Sequence, residues 1–87
     1  MSEHERWLRE WVLKTCQDLG LSLQHDEDDF FAAGGTSLTA ARLIGRAEEA
    51  FGEDALPAED LFVGSTVGEL VVTLTKNVPV KTRDREN

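Results

Sequence analysis

The stretch DDFFAAGGTSLTAARL, residues 28–43, changes character in its middle. Before Thr36 no helical period survives. Beyond it Ala40, Leu43, Ile44, Ala47 and Phe51 recur at helical spacing and predict a helix that ends near Gly52. Two glycines, a threonine and a serine stand at the junction. Gly34 and Gly35 lack a Cβ, so they permit a sharp turn that leaves the next hydroxyl, that of Ser37, open to a large partner. Phe30 and Phe31 are expected to pin this turn to the core. The free N–H groups and partial positive charge of a helix start favour a phosphate there. A plainer reading competes: glycine ends a loop, and Ser or Thr caps the helix. The tetrapeptide Gly-Gly-Thr-Ser alone leaves both open.

Upstream, Ser2-x-x-Glu5 reads as a capping box. It opens a first helix with Trp7, Leu8, Trp11, Val12, Cys16 and Leu19 on its inward face, and Gly20 is placed to stop it. Leu21 to Thr36 is a long loop from which Leu21 and Leu23 reach the core, followed by the acidic run Asp26-Glu27-Asp28-Asp29. Loops this long in small domains are usually functional. Downstream, Leu56-Pro57 puts a proline at the first position of a short helix over Ala58–Phe62. Thr66-x-x-Glu69 is a second capping box, opening a last helix with Val67, Leu70, Val71, Leu74 and Val78 inward and Pro79 closing it. The expected fold is all-α: a four-helix bundle of three longer helices and a short third one, with a long first loop. Residues 1–79 form the domain and 80–87 a polar flexible tail.

Composition narrows the function. The chain has 87 residues, 40% hydrophobic, and a net charge of −8, enough for one modest core. Its acidity argues against nucleic acid as a partner. No run of 18 apolar residues and no apolar leader behind Met1 is present, so neither membrane insertion nor export is expected, and the reading is a cytoplasmic monomer. The single cysteine, Cys16, forms no internal disulfide and reads as a buried thiol of a reducing compartment. His4 and His25 form no zinc pattern with it, and residues 26–29 lack the Gly and closing Glu of a calcium loop, so no metal site is read. A P-loop needs a Lys before its Ser or Thr, a nucleophile elbow needs Gly two places after its Ser, and a hydrolase triad needs a placed His. None fits, and no catalytic residue is assigned. Trp7 and Trp11 are read as core residues, and Phe62 as core in preference to the edge of a docking patch, while Arg42 and Arg46 mark a solvated face of the second helix.

The longer stretch DDFFAAGGTSL resembles the attachment-site motif of carrier proteins, in particular the peptidyl carrier proteins of nonribosomal peptide synthesis. The motif has an acidic residue, Phe-Phe, two variable positions, Gly-Gly, one variable position and Ser-Leu. The amphipathic first helix, the long loop and LPAEDLFVGSTVGEL extend the likeness from Trp7 to about Leu74. The resemblance implies that Ser37 takes 4′-phosphopantetheine from coenzyme A through a phosphopantetheinyl transferase, on a turn formed by Gly34, Gly35 and Thr36. The thiol of the arm would then hold an aminoacyl or acyl group as a thioester. An adenylation or other acyl-loading enzyme would supply that group, downstream condensation or tailoring enzymes would use it, and the carrier itself would catalyse nothing. Partners would touch Leu38, Ala41 and Arg42 and the short third helix. Leu38 reads equally as an exposed anchor or as packed on the loop. The sequence departs from the family at Thr36, where His, Asp or Asn is frequent, and at Ser65, where Pro is frequent; the latter is read as a variation without functional weight. Gly-Gly-Thr-Ser-Leu with Arg42 and Arg46 on the second helix favours the peptidyl over the fatty-acid type. A polyketide acyl carrier stays open, as does an unmodified helical interaction module in which Ser37 is only a cap. A chain running from Met1 to a polar tail reads as freestanding, although an excised domain with an added Met would look the same.

Overall fold

The computed structural model describes residues 2–79; the expected tail at 80–87 lies outside the described residues. The capping box of Ser2 and Glu5 forms as expected, with Ser2 Oγ accepting the Glu5 amide at 3.1 Å, and starts α1 (Glu3–Asp18). Its end is fixed by Gly20 at φ +95°. The Leu21 amide donates to the Cys16 carbonyl at 2.8 Å and the Gly20 amide to that of Gln17 at 3.0 Å, the paired bonds of a glycine-terminated helix. The remaining helices are α2 (Ser37–Phe51), α3 (Ala58–Val63) and α4 (Val67–Asn77). Pro57 stands one place earlier than expected, as the extended residue before α3. The chain is therefore the all-α four-helix bundle with a long first loop that its periodicity predicts. Among the described residues no helix is long and apolar enough to cross a membrane.

α1 packs chiefly along α4, and α2 touches both α1 and α3. Leu8, Val12 and Cys16 of α1 meet Leu43 and Ala47 of α2, Leu61 of α3 and Leu70, Val71 and Leu74 of α4 in one buried cluster. The first loop contributes Leu21, Leu23 and Phe30 to it, so the loop belongs to the core although it has no helical period. His4 Nε2 lies 3.2 Å from the Val78 carbonyl and ties the start of α1 to the end of α4.

Two residues read as core are not. Leu8 takes the inward place in α1, which leaves Trp7 on the shoulder of the helix, 43% exposed, edge-on to Phe51 at 5.4 Å. Trp11 is half-buried against the same Phe51 at 4.8 Å. In α3, Leu61 fills the core and the next residue, a hundred degrees further round, faces out: Phe62 is 52% exposed.

Candidate functional site

The loop before α2 is built by its acidic residues. Asp29 accepts the amides of Phe31 and Ala32 on one carboxylate oxygen, each at 2.9 Å, and starts a single helical turn. Gly34, at φ +111°, ends it. The Gly34 amide donates to the Phe31 carbonyl at 3.1 Å and the Gly35 amide to that of Phe30 at 3.0 Å, the pairing already seen at the end of α1. The two glycines therefore serve different needs. Gly34 supplies the left-handed backbone. Gly35 lies directly on Phe30, where a Cβ would stand 2.5 Å from the ring and 2.7 Å from the carbonyl oxygen. Phe30 is fully buried and Phe31 half-buried, so the expected pinning of the turn is what the structure shows.

The same loop is fastened to the junction between α3 and α4. The Phe30 amide donates to the Ser65 carbonyl at 2.8 Å and the Val67 amide to that of Asp28 at 2.9 Å, around a β-bridge between Asp29 and Thr66. Ser65 Oγ donates to the second Asp29 oxygen at 2.6 Å. Ser65, read from sequence as a variation without functional weight, has a structural part: it latches the loop to this junction. Asp28 accepts the amides of Gln24 and His25 at 2.8 and 2.9 Å, and Asp26 pairs with Arg9 at 2.8 Å. Backbone hydrogen bonds from Gln24 and His25 hold the Asp28 carboxyl below the usual carboxylate range. For Asp29 the Ser65 hydroxyl is the largest cause, followed by the Ala32 amide. Three residues of the acidic run, Asp26, Asp28 and Asp29, are thus engaged in holding the loop.

From this platform the chain enters α2. Thr36 has extended backbone, and its Oγ1 accepts the Thr39 amide at 3.2 Å. Thr36 is therefore the cap, and Ser37 is the first helical residue. That overturns the reading of Ser37 as the cap. The signal was present in Thr36-x-x-Thr39, but two adjacent hydroxyl residues made it ambiguous. Ser37 is exposed, and among the described residues its hydroxyl has no hydrogen-bond partner. The first amides of a helix have no acceptor within it, so those of Ser37 and Leu38 open beside the hydroxyl. The first turn of α2 holds no acidic residue. A phosphate ester on Ser37 would thus meet amides and the positive helix end with no carboxylate in that turn to oppose it. Leu38 is 64% exposed, which decides its two readings for the exposed one, and Ala41 and Arg42 are exposed beyond it. Phe62 stacks on Phe31 at 5.4 Å with the rings 12° from parallel, and Val63 is exposed next to it. The sequence reading preferred the core for Phe62 over the edge of a docking patch; the structure decides for the edge, an apolar ledge between loop and α3. Cys16 lies apart in the core, where burial pushes its thiol up to about 12.

Comparison with known proteins agrees with this geometry. The family described as "Phosphopantetheine attachment site" matches residues 10–74. Phosphinothricin tripeptide synthetase PhsC of Streptomyces viridochromogenes is 44% identical over 52 residues, which is 60% of this chain and 5% of that protein. The chain therefore spans a small part of that relative. No solved structure matches.

Proposed function

The chain belongs to the phosphopantetheine attachment-site family, and on that premise we propose that it is a non-catalytic carrier with Ser37 as its attachment residue. The family attaches 4′-phosphopantetheine covalently. What supports Ser37 is its exposed hydroxyl, unengaged among the described residues, at the start of a helix whose first turn holds no acidic residue. In the modification step Ser37 Oγ bonds to the phosphorus that bears the pantetheine of coenzyme A. The pyrophosphate P–O bond breaks, adenosine 3′,5′-bisphosphate leaves, and the hydroxyl proton passes to a base of the transferase. The arm supplies a thiol that holds an acyl group as a thioester. This chain's residues present the attachment oxygen and orient the first turn of α2.

The likeness to a protein named a tripeptide synthetase supports peptide assembly as the setting and an aminoacyl or peptidyl group as the cargo. Tethering raises the effective concentration of that group at each enzyme it visits. Partners in this reading are the phosphopantetheinyl transferase, a loading enzyme and the enzymes that take the acyl group on. They would dock on Leu38, Ala41 and Arg42, with the Phe31–Phe62 ledge at the edge of the footprint.

Intact mass before and after incubation with coenzyme A and a broad-specificity phosphopantetheinyl transferase tests the proposal. One phosphopantetheine is expected on the parent and none on Ser37→Ala, which keeps its fold because Thr36 retains the cap. An unmodified parent found folded and unlabelled throughout would sink the carrier reading.

A further inference from the structure

This inference rests on Ser37 as the attachment residue and concerns what keeps its oxygen available. Serine is among the best helix caps, and Ser37 stands one place from the cap position. A helix starting one residue later would take Ser37 as its cap, with Oγ accepting the Ala40 amide. The structure holds the other register. Thr36 is extended at φ −120° and ψ 176°. Its Oγ1 accepts the Thr39 amide at 3.2 Å and lies 3.0 Å from Thr39 Oγ1. Its carbonyl accepts the Ala40 amide at 2.8 Å. The Ala40 amide, the natural donor to a capping Ser37, is thereby committed to backbone.

The third helical position differs between the helices as well. In α1 and α4 that residue is a glutamate, Glu5 or Glu69, which turns back to close a capping box. In α2 it is Thr39, whose hydroxyl joins that of Thr36 and brings no charge. The pair secures the register without placing a carboxylate beside the attachment oxygen.

We propose that Thr36, supported by Thr39, is a positioning residue for phosphopantetheinyl transfer. By holding the cap it keeps the Ser37 hydroxyl out of the helix's own hydrogen bonding and free to attack. Thr36 touches none of the reacting atoms and acts through the register of the first turn. Without its hydroxyl the register that begins one residue later gains on this one, the Ala40 amide leaving the Thr36 carbonyl for Ser37 Oγ, so the helix survives while the nucleophile is engaged.

The test is the steady-state modification of Thr36→Val, Thr36→Ser and Thr36→Asn by the same transferase with coenzyme A, with melting temperature measured in parallel. Ser2→Ala, which removes the cap of α1, serves as control. Thr36→Val is expected to lower kcat/KM about tenfold, the factor a typical cap preference represents. The fall should lie in kcat with KM unchanged, since Leu38, Ala41 and Arg42 are untouched. Melting temperature should stay near the parent's and the Thr39 amide should exchange faster. Thr36→Ser and Thr36→Asn restore the rate, whereas Ser2→Ala lowers melting temperature and leaves the rate alone. If Thr36→Val fails to fold, Thr36→Ala carries the same expectation. Parent-like rates in the Val or Ala variant, a loss confined to KM, or a loss that Ser and Asn do not restore would overturn the proposal. A parent that takes no phosphopantetheine brings down the attachment reading as well, and is told apart because no variant then differs from it.

Discussion

Two helices of this bundle begin on a threonine, and the two beginnings are opposite in kind. At α4, Thr66 caps the Glu69 amide at 3.2 Å, and Glu69 returns to the Thr66 amide at 3.1 Å. Val67 behind them is buried, and the first loop is bonded across the junction through Asp28 and Asp26. At α2, Thr36 caps Thr39 at the same 3.2 Å, yet the residues that follow, Ser37 and Leu38, are exposed and no carboxylate closes the turn. Equal capping chemistry yields one mouth that is sealed and one left open. Every donor at a sealed mouth is used for stability. An open one keeps amides and field for something that arrives later.

Gly35 tests whether the open mouth is held firmly or is merely loose. Gly35→Ala would force a Cβ to within 2.5 Å of the buried Phe30 ring. Neither ring nor backbone has room to yield, so a loss of about 1–3 kcal/mol is expected, measured by denaturant unfolding. Gly45, in the middle of α2 with open space around its Cβ position, is the contrast. Alanine there should stabilise by up to about 1 kcal/mol through helix propensity. A tolerated Gly35→Ala would show that the turn does not hold α2 as described.

Acid should separate the two regions next. Asp28 and Asp29 have their carboxyls held low by hydrogen bonds from Gln24, His25, Ser65 and the Ala32 and Phe31 amides. A depressed folded value means that the unfolded chain binds protons first as pH falls. The stabilisation is therefore complete above the ordinary aspartate value of about 4 and is lost as pH drops through the lower folded value. Amide exchange of Phe31, Ala32, Gln24 and His25 should accelerate over that acid window. The Thr39 amide, bonded to a hydroxyl that does not titrate, should lag behind them. Simultaneous loss of both would mean that the two regions open as one unit.

Thr66→Ala sharpens the contrast from the sealed side. It removes one capping partner and should lower stability by about 1 kcal/mol, while modification of Ser37 continues at the parent's rate. A matching fall in rate would show that the α4 junction governs the site through the Asp29–Thr66 bridge.

What the sequence disclosed follows from which forces are local. The helical stripes through Leu8, Leu43 and Leu74 and the capping boxes of Ser2 and Thr66 rest on spacings of three and four residues, and they were legible. So was Gly20, whose neighbours stop the helix at once. The candidate site was legible as a motif, since the pattern from Asp28 to Leu38 is contiguous. Its assembly was not. Asp29 finds Ser65 across thirty-six positions, and no local pattern announces such a bond. Phe62 and Trp7 went astray for a related reason. An apolar residue beside an equally apolar neighbour leaves the inward place undecided, and tertiary packing gave it to Leu61 and Leu8. Gly35 was read as freedom when its reason is closeness, a distinction that needs the Phe30 ring in place.

The smallest expected change in stability carries the sharpest consequence. Thr39→Glu would give α2 the third-position glutamate that α4 already has, able to reach back to the Thr36 amide as Glu69 reaches Thr66. A carboxylate in the first turn also complements the helix field, and the variant should gain about 0.3–1 kcal/mol in thermal unfolding. The same charge would lie beside the phosphate being transferred to Ser37, where it opposes the developing ester. Modification by the transferase should therefore slow, and the slowing should weaken as salt screens the repulsion. A gain in stability with a loss of transfer would show that the bare first turn of α2 is maintained for its anion. A gain in both would show that the open mouth is only an unfinished cap.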